Sequence, residues 1–130
     1  MSFDLSSIDA LTATQEDGVE VHIVHPATGE DTGIVIRVAG PDSQRRRVVQ
    51  KRVTDQRLKR RRNKPLTSDE LEDEALRVAA GATISWAGVR DNGVDLEFST
   101  DAAIALYRKH RWVYEQVEAD GNDRAAFLKS

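Results

Sequence analysis

A chain of 130 residues with 39% hydrophobic and only 5% aromatic content has the size of one domain with a modest core, and the absence of cysteine excludes disulfides and thiolate metal sites. Its charged fraction of 32% exceeds the roughly 25% of ordinary globular domains, so long solvated helix faces are expected. The net charge of −3 conceals two opposed parts: residues 37–64 carry twelve Lys or Arg against two Asp (+10), and the remainder carries seven basic and twenty acidic residues (−13).

Residues 1–17 read as a flexible, loosely packed arm. Phe3, Leu5, Ile8 and Leu11 are apolar, but the Ser and Asp between them favour turns over helix. The start, Met1-Ser2-Phe3-Asp4-Leu5, has neither the basic nor the apolar region of a signal peptide, and no apolar run approaches the ~20 residues that span a bilayer. Neither export nor a membrane is expected.

Val19-Glu20-Val21-His22-Ile23-Val24 alternates with a period of two and predicts a strand with one buried face. A turn-rich stretch, 25–33, separates it from the β-branched run Ile34–Ala39, and the pair predicts a hairpin over 18–40. Two strands alone are marginal, so helices or another chain must cover them. Gly40-Pro41 stops the strand, and Asp42 or Ser43 caps a basic helix within 42–63. Its apolar residues are Val48, Val49, Val53 and Leu58, a stripe thin enough that most of this helix should be exposed or packed on a partner.

Pro65 breaks the helix, and Thr67-Ser68-Asp69-Glu70 is a capping box that opens the helical C-terminal half, 67–130. Leu71, Ala75, Val78, Ala79 and Ala82 form the expected core face of the first helix there, with Gly81 loosening or ending it. Trp86-Ala87-Gly88-Val89 leaves the helix, and Arg90-Asp91-Asn92-Gly93 is a tight turn whose Asn and Gly tolerate positive φ. Val94–Phe98 alternates as a short extended segment. Ser99 or Thr100 caps a helix to Lys109 with Ala103, Ile104, Leu106 and Tyr107 inward. Trp112, Val113, Gln116, Val117, Ala125, Phe127 and Leu128 suggest a last helix interrupted near Asp120-Gly121-Asn122. The expected fold is α+β, an N-terminal β-hairpin followed by a mainly α-helical body of three to four helices.

The residues offer little catalytic chemistry. His22 and His25 lie three apart at a strand end but need a third ligand to hold a metal, and His110 is isolated. No serine sits in a nucleophile elbow, and no phosphate-binding or dinucleotide motif is present. Neither an enzyme, a metal nor a cofactor is expected. The loudest local feature is the basic run Arg45, Arg46, Arg47, Lys51, Arg52, Arg57, Lys59, Arg60, Arg61 and Arg62. It suits phosphate, yet no aromatic platform for bases lies between Gly40 and Ser85 and the remaining chain is acidic, which favours a protein partner over nucleic acid. Trp86, Trp112, Tyr107 and Phe98 read either as C-terminal core or, where a Trp is exposed beside the basic helix, as an interface anchor. The candidate partner-binding residues are therefore Arg45, Arg46, Lys51, Arg52, Arg57, Arg60, Arg61, Trp86 and Trp112.

The turn Trp86-Ala87-Gly88-Val89, the segment Asp91-Asn92-Gly93-Val94-Asp95-Leu96-Glu97-Phe98-Ser99 and the helix Ala102–Tyr107 together resemble the tail assembly chaperones of long-tailed bacteriophages. The end, Glu115-Gln116-Val117 through Arg124–Leu128, is similar to that family's terminal helix. The hairpin with its Pro-Ala-Thr-Gly-Glu loop and Gly40-Pro41-Asp42-Ser43 before a charged helix extends the likeness over residues 19–128. Ala102 departs from it, standing where the family often has a polar residue. The resemblance implies a protein of the host cytoplasm that binds the tape measure protein, keeps its apolar helical segments soluble until tail-tube subunits polymerise, and is absent from the mature virion. It also implies a longer, frameshifted form that recruits tube subunits. The opposed charges suggest a homo-oligomer in which the basic helix of one copy lies against acidic helices of the next. The rival readings are a small phage nucleic-acid-binding protein using residues 44–62 and a structural tail or connector subunit.

Overall fold

The computed structural model describes residues 5–60 and 64–124, with the backbone alone at 7–11. The chain runs α1 (Ser6–Asp17), β1 (Val19–Val24), β2 (Asp31–Val38), α2 (Gln44–Arg60), α3 (Ser68–Ala82), β3 (Thr83–Ala87), β4 (Arg90–Asp91), β5 (Val94–Asp95), α4 (Thr100–Lys109) and α5 (Arg111–Gly121). The α+β class and the early hairpin agree with expectation. The described residues hold five helices rather than three to four.

The additional helix is α1, in the segment expected to be a loose arm. Its side-chain chemistry is indeed poor, and long-range contacts hold it instead. Gln15 is 2% exposed, accepts from the Asp42 backbone N–H through Oε1 at 2.6 Å, and takes the Gly40 N–H on its own carbonyl at 2.9 Å. Arg37 closes the same C-terminal end by donating to the carbonyls of Asp17 and Gly18 at 3.1 and 3.3 Å, the favourable place for a cation on a helix.

β1 and β2 pair antiparallel, with Val21 opposite Ile36. The chain then supplies a third strand that the sequence reading treats as the exit from a helix: β3 pairs antiparallel with β2, Trp86 opposite Ile36 and Val38 opposite Thr83. The sheet order is β1-β2-β3. On the β1 side Gln116 of α5 guards the backbone, accepting from the Val24 N–H and donating to its carbonyl, both at 2.9 Å.

Val21, Ile23, Ile36 and Val38 of the sheet meet Leu76, Ala79, Ala80 and Ala82 of α3, Ala103 and Tyr107 of α4, and Val113 and Val117 of α5. Tyr107 lies at the centre. Thr83 Oγ1 donates to the Ala79 carbonyl at 2.9 Å, which leaves Tyr107 to donate to Thr83 at 2.7 Å. Burial pushes the Tyr107 phenol up to about 12, the Thr83 hydrogen bond opposes that rise, and the charge of Glu118 adds to it.

The capping box is present, Thr67 Oγ1 accepting from the Glu70 N–H at 3.2 Å. The core face of α3 is rotated from the expected one. Val78, Ala79 and Ala82 are buried, but Leu71 and Ala75 are exposed and Leu76 and Ala80 take their place. Apolar spacing in the first half of α3 therefore meets solvent at these two positions. Gly81 neither loosens nor ends the helix. A Cβ at this position would lie 2.5 Å from Val49 Cγ1, so the missing side chain is what lets α2 approach α3. The Asn92-Gly93 turn is as expected, with φ of 52° and 78°, and Ser99 caps α4 through the Ala102 N–H at 3.0 Å. Ala125, Phe127 and Leu128, expected in the last helix, lie outside the described residues.

Candidate functional site

α2 starts where Ser43 Oγ donates to the Gly40 carbonyl at 2.6 Å and accepts from the Arg46 N–H at 3.2 Å. Glu16 of α1 accepts from the Gln44 N–H. These acceptors engage two of the helix's open N–H groups, and the first turn itself carries no acid. Asp42 is held by a two-point contact from Arg124 at 2.6 and 2.8 Å. The Arg124 and Gln15 hydrogen bonds draw its carboxyl down to about 2.

The basic residues of α2 then divide into two sets. Arg45 donates to the carbonyls of Gly81 and Thr83 at 3.0 and 3.1 Å, satisfying the end of α3. Arg46 is buried and pairs with Glu118 of α5 at 3.4 Å. Its Nε and Nη2, and Glu118 Oε2, have no partner among the described residues. Arg57 pairs with Glu74 of α3 at 3.5 Å. These three, expected to bind a partner, serve the fold.

The second set is solvent-exposed. Among the described residues, no ion pair or side-chain hydrogen bond engages Arg47, Lys51, Arg52, Lys59 or Arg60, and all five are exposed. At about 100° per residue, Arg47, Lys51, Arg52 and Lys59 share an arc of roughly 140° with Val48, Asp55 and Leu58. Val48 is 48% exposed and Leu58 65%. The outer face of α2 is therefore two aliphatic side chains and Asp55 among four cations that have no ionic partner among the described residues. Arg61 falls outside the described residues.

Open clefts flank Val48. One, of about 750 Å³, lies between α1 and α2 and is lined by Thr12, Glu16, Pro41, Arg47, Val48 and Lys51 among others. The other, of about 630 Å³, runs between α2, α3 and α4. Val48, Val49, Val53 and Ile104 give it an aliphatic lining, and Arg45, Arg52 and Arg77 a cationic rim. Among the described residues neither cleft is lined by Ser, Cys or His, and no group of three or more His, Asp or Glu could hold a metal ion. His25 Nδ1 accepts from the Ala27 and Thr28 N–H groups at 3.1 and 3.3 Å and organises its turn. No helix among the described residues is long and apolar enough to cross a membrane.

The carboxylates also divide, in a way the sequence does not announce. Three of those on α3 are engaged inside the molecule: Glu74 by Arg57, Asp73 by Arg77 at 3.0 Å and Arg108 at 2.9 Å, and Glu72 by Arg111. Among the described residues Asp91, Glu97 and Asp101 have no such partner. They belong to the β4–β5 hairpin and the entry to α4, beside Val94 at 64% and Leu96 at 39% exposure. Asp95 is paired with Arg90 at 2.7 Å.

Trp86 and Trp112 line neither cleft. Trp86 donates from Nε1 to the Leu96 carbonyl at 2.9 Å and meets Phe98 edge-on at 5.1 Å, tying the hairpin segment to β3. Trp112 packs against the core and meets His110 edge-on. Both are half-buried, and the structure brings neither to the basic helix. No family model matches the chain, and neither a curated protein nor a solved structure matches it.

Proposed function

We propose that this chain is a non-catalytic assembly factor of the tail-chaperone type, binding an amphipathic helical segment of a tape measure protein and keeping its apolar stripe out of water. The observation that carries the reading is the cleft along α2, where Val48, Val49, Val53 and Ile104 form an open aliphatic channel rimmed by Arg45, Arg52 and Arg77. Its volume of about 630 Å³ falls in the range of ordinary ligand clefts. An amphipathic helix lays its apolar residues into such a groove, and acidic flanking residues would meet the rim. The resemblance at Trp86–Ser99 and Ala102–Tyr107 supplies the identity of the client. In the same proposal the chaperone works in the host cytoplasm, is left out of the mature virion, and reaches tail-tube subunits through a longer frameshifted form.

The test is co-expression of the chain with a tape measure segment, followed by pull-down. Val48→Glu places a carboxylate on the ridge between the clefts, at a position exposed enough to leave the fold intact. It is expected to reduce capture at least ~10-fold, because it replaces an apolar contact by a charged group whose desolvation in a docked interface costs over ~1.4 kcal/mol even where Arg52 answers it. Equal capture by the wild type and Val48→Glu would remove the cleft from the mechanism. No capture by either would remove the client. The five unpaired cations on α2 favour one further reading, a nucleic-acid contact. A gel shift at physiological salt that is lost in Lys51→Ala/Lys59→Ala would establish it in place of the chaperone.

A further inference from the structure

The structure assigns a self-association surface: we infer that the outer face of α2 on one copy docks the 91–101 segment of a second copy. Each surface carries what the other lacks. On α2, Val48 and Leu58 are exposed among Arg47, Lys51, Arg52 and Lys59, none of which has an ionic partner among the described residues. On the hairpin and the entry to α4, Val94 and Leu96 are exposed among Asp91, Glu97 and Asp101, equally unengaged. Asp55 is the one acid on that face of α2, so its charge is mainly positive, and aliphatic side chains among charge mainly of one sign favour a partner whose aliphatic side chains lie among the other, which sets both register and the choice of partner.

The acidic helix α3 is the more obvious complement to α2 by composition, and the structure sets it aside. Glu72, Asp73 and Glu74 already face Arg111, Arg77, Arg108 and Arg57 of their own chain. Docking a second basic helix there would compete with four existing pairs. Asp91, Glu97 and Asp101 give up no intramolecular pair when they dock. Trp86, through Leu96 and Phe98, holds the backbone of this segment in place before docking, which limits the ordering entropy that association must overcome. Exposed charge pairs contribute little singly, so the contact depends on several at once together with the four aliphatic side chains, and it weakens with salt. It goes beyond client binding and stands whether or not the client is a tape measure protein.

The experiment is sedimentation velocity on the full chain and two charge-reversed variants, each checked for native circular dichroism. Lys51→Glu/Lys59→Glu reverses the α2 face, and Asp91→Lys/Glu97→Lys reverses the hairpin face. The wild type is expected to sediment above its 14.5 kDa chain mass at low salt and to return to it at ~0.5 M salt. Each variant alone is expected to stay monomeric, its self-affinity reduced at least ~10-fold. An equimolar mixture of the two is expected to recover association, because one keeps an intact acidic surface and the other an intact basic one. A wild type that is monomeric at low salt overturns the inference. So does a variant that associates as the wild type does, or a mixture of folded variants that stays monomeric. Val48 and Arg52 belong to both surfaces, but Lys51, Lys59, Asp91 and Glu97 do not line the Val48–Ile104 cleft, so these variants leave it intact and capture is read separately.

Discussion

Two groups of cations share one helix and have opposite fates. Arg45, Arg46 and Arg57 turn inward to carbonyls and carboxylates of α3, β3 and α5, whereas Arg47, Lys51, Arg52, Lys59 and Arg60 remain in solvent without a partner among the described residues. The difference is one of angular position. The buried residues of α2 are Arg46 and Val53; Arg45, Arg46 and Arg57 lie within about a quarter turn of that line, Arg47, Lys51, Arg52 and Lys59 lie further round, and Arg60 shares the inner side but stands exposed at the last residue of the helix. Charge alone therefore says nothing about whether a basic helix is a contact surface or a brace. α2 is both, split along its length.

The largest expected effect tests the brace. Arg46 is buried beside Glu118, so Arg46→Ala removes the counter-ion of a half-buried carboxylate. The loss should be about 3 kcal/mol in urea unfolding, at the lower end for broken buried pairs because Glu118 retains some solvent. Arg46→Met/Glu118→Gln, which removes both charges and fills the space, should recover at least ~1 kcal/mol of that. If Arg46→Ala costs no more than Lys51→Ala, the division of α2 into two sets is wrong.

A second effect of similar size sits directly beneath α2, where the carbonyl of Thr83 accepts from Arg45 and its hydroxyl accepts from Tyr107. The Tyr107 phenol is raised from 10.0 to about 12 in the fold. A group raised in the folded state favours folding fully below its unfolded value, and that contribution is lost as pH climbs. Stability should therefore fall between pH ~10 and ~12 by roughly 3 kcal/mol more in the wild type than in Tyr107→Phe. The variant should start about 1 kcal/mol less stable at pH 7 for want of the hydrogen bond. Parallel pH profiles for the two proteins would mean that Tyr107 is not the group that titrates.

How much of this was legible in the sequence follows the range of the interactions. The hairpin, the Thr67 and Ser99 caps and the Asn92-Gly93 turn are each decided within a few residues, and each stands where the pattern placed it. The strand Thr83–Ala87 follows α3 with no intervening break, and its partner Val35–Val38 lies far back in the chain, so no local pattern marks it. α1 depends on Gln15, a polar residue that is buried because the Gly40–Asp42 backbone comes to it. Leu71 and Ala75 have core spacing but are exposed, the core face of α3 being turned to Leu76 and Ala80. Within the basic run, no rule of composition separates Arg45, whose guanidinium caps α3, from Lys51 two turns on. The unpaired carboxylates could have been found only by asking which acids lack an arginine in reach, a question about tertiary structure. The aromatic pattern misleads for the same reason: Trp86 and Trp112 have the chemistry of interface anchors, and the fold uses them to hold its own segments.

The smallest effect tests the other half of α2. Arg47 sits in the first turn, at the positive end of the helix dipole, and is exposed without an ionic partner among the described residues. A cation there opposes the dipole by a few tenths of a kcal/mol. Glu16 lies across the same cleft, so an acidic replacement would add a new repulsion and obscure the sign. The neutral Arg47→Gln avoids that. It is expected to leave stability unchanged or to raise it by up to about 0.5 kcal/mol in urea unfolding, the opposite sign to Arg46→Ala one residue away. A loss of 1 kcal/mol or more would show Arg47 to be a brace like its neighbours, and the outer face of α2 would then begin at Val48.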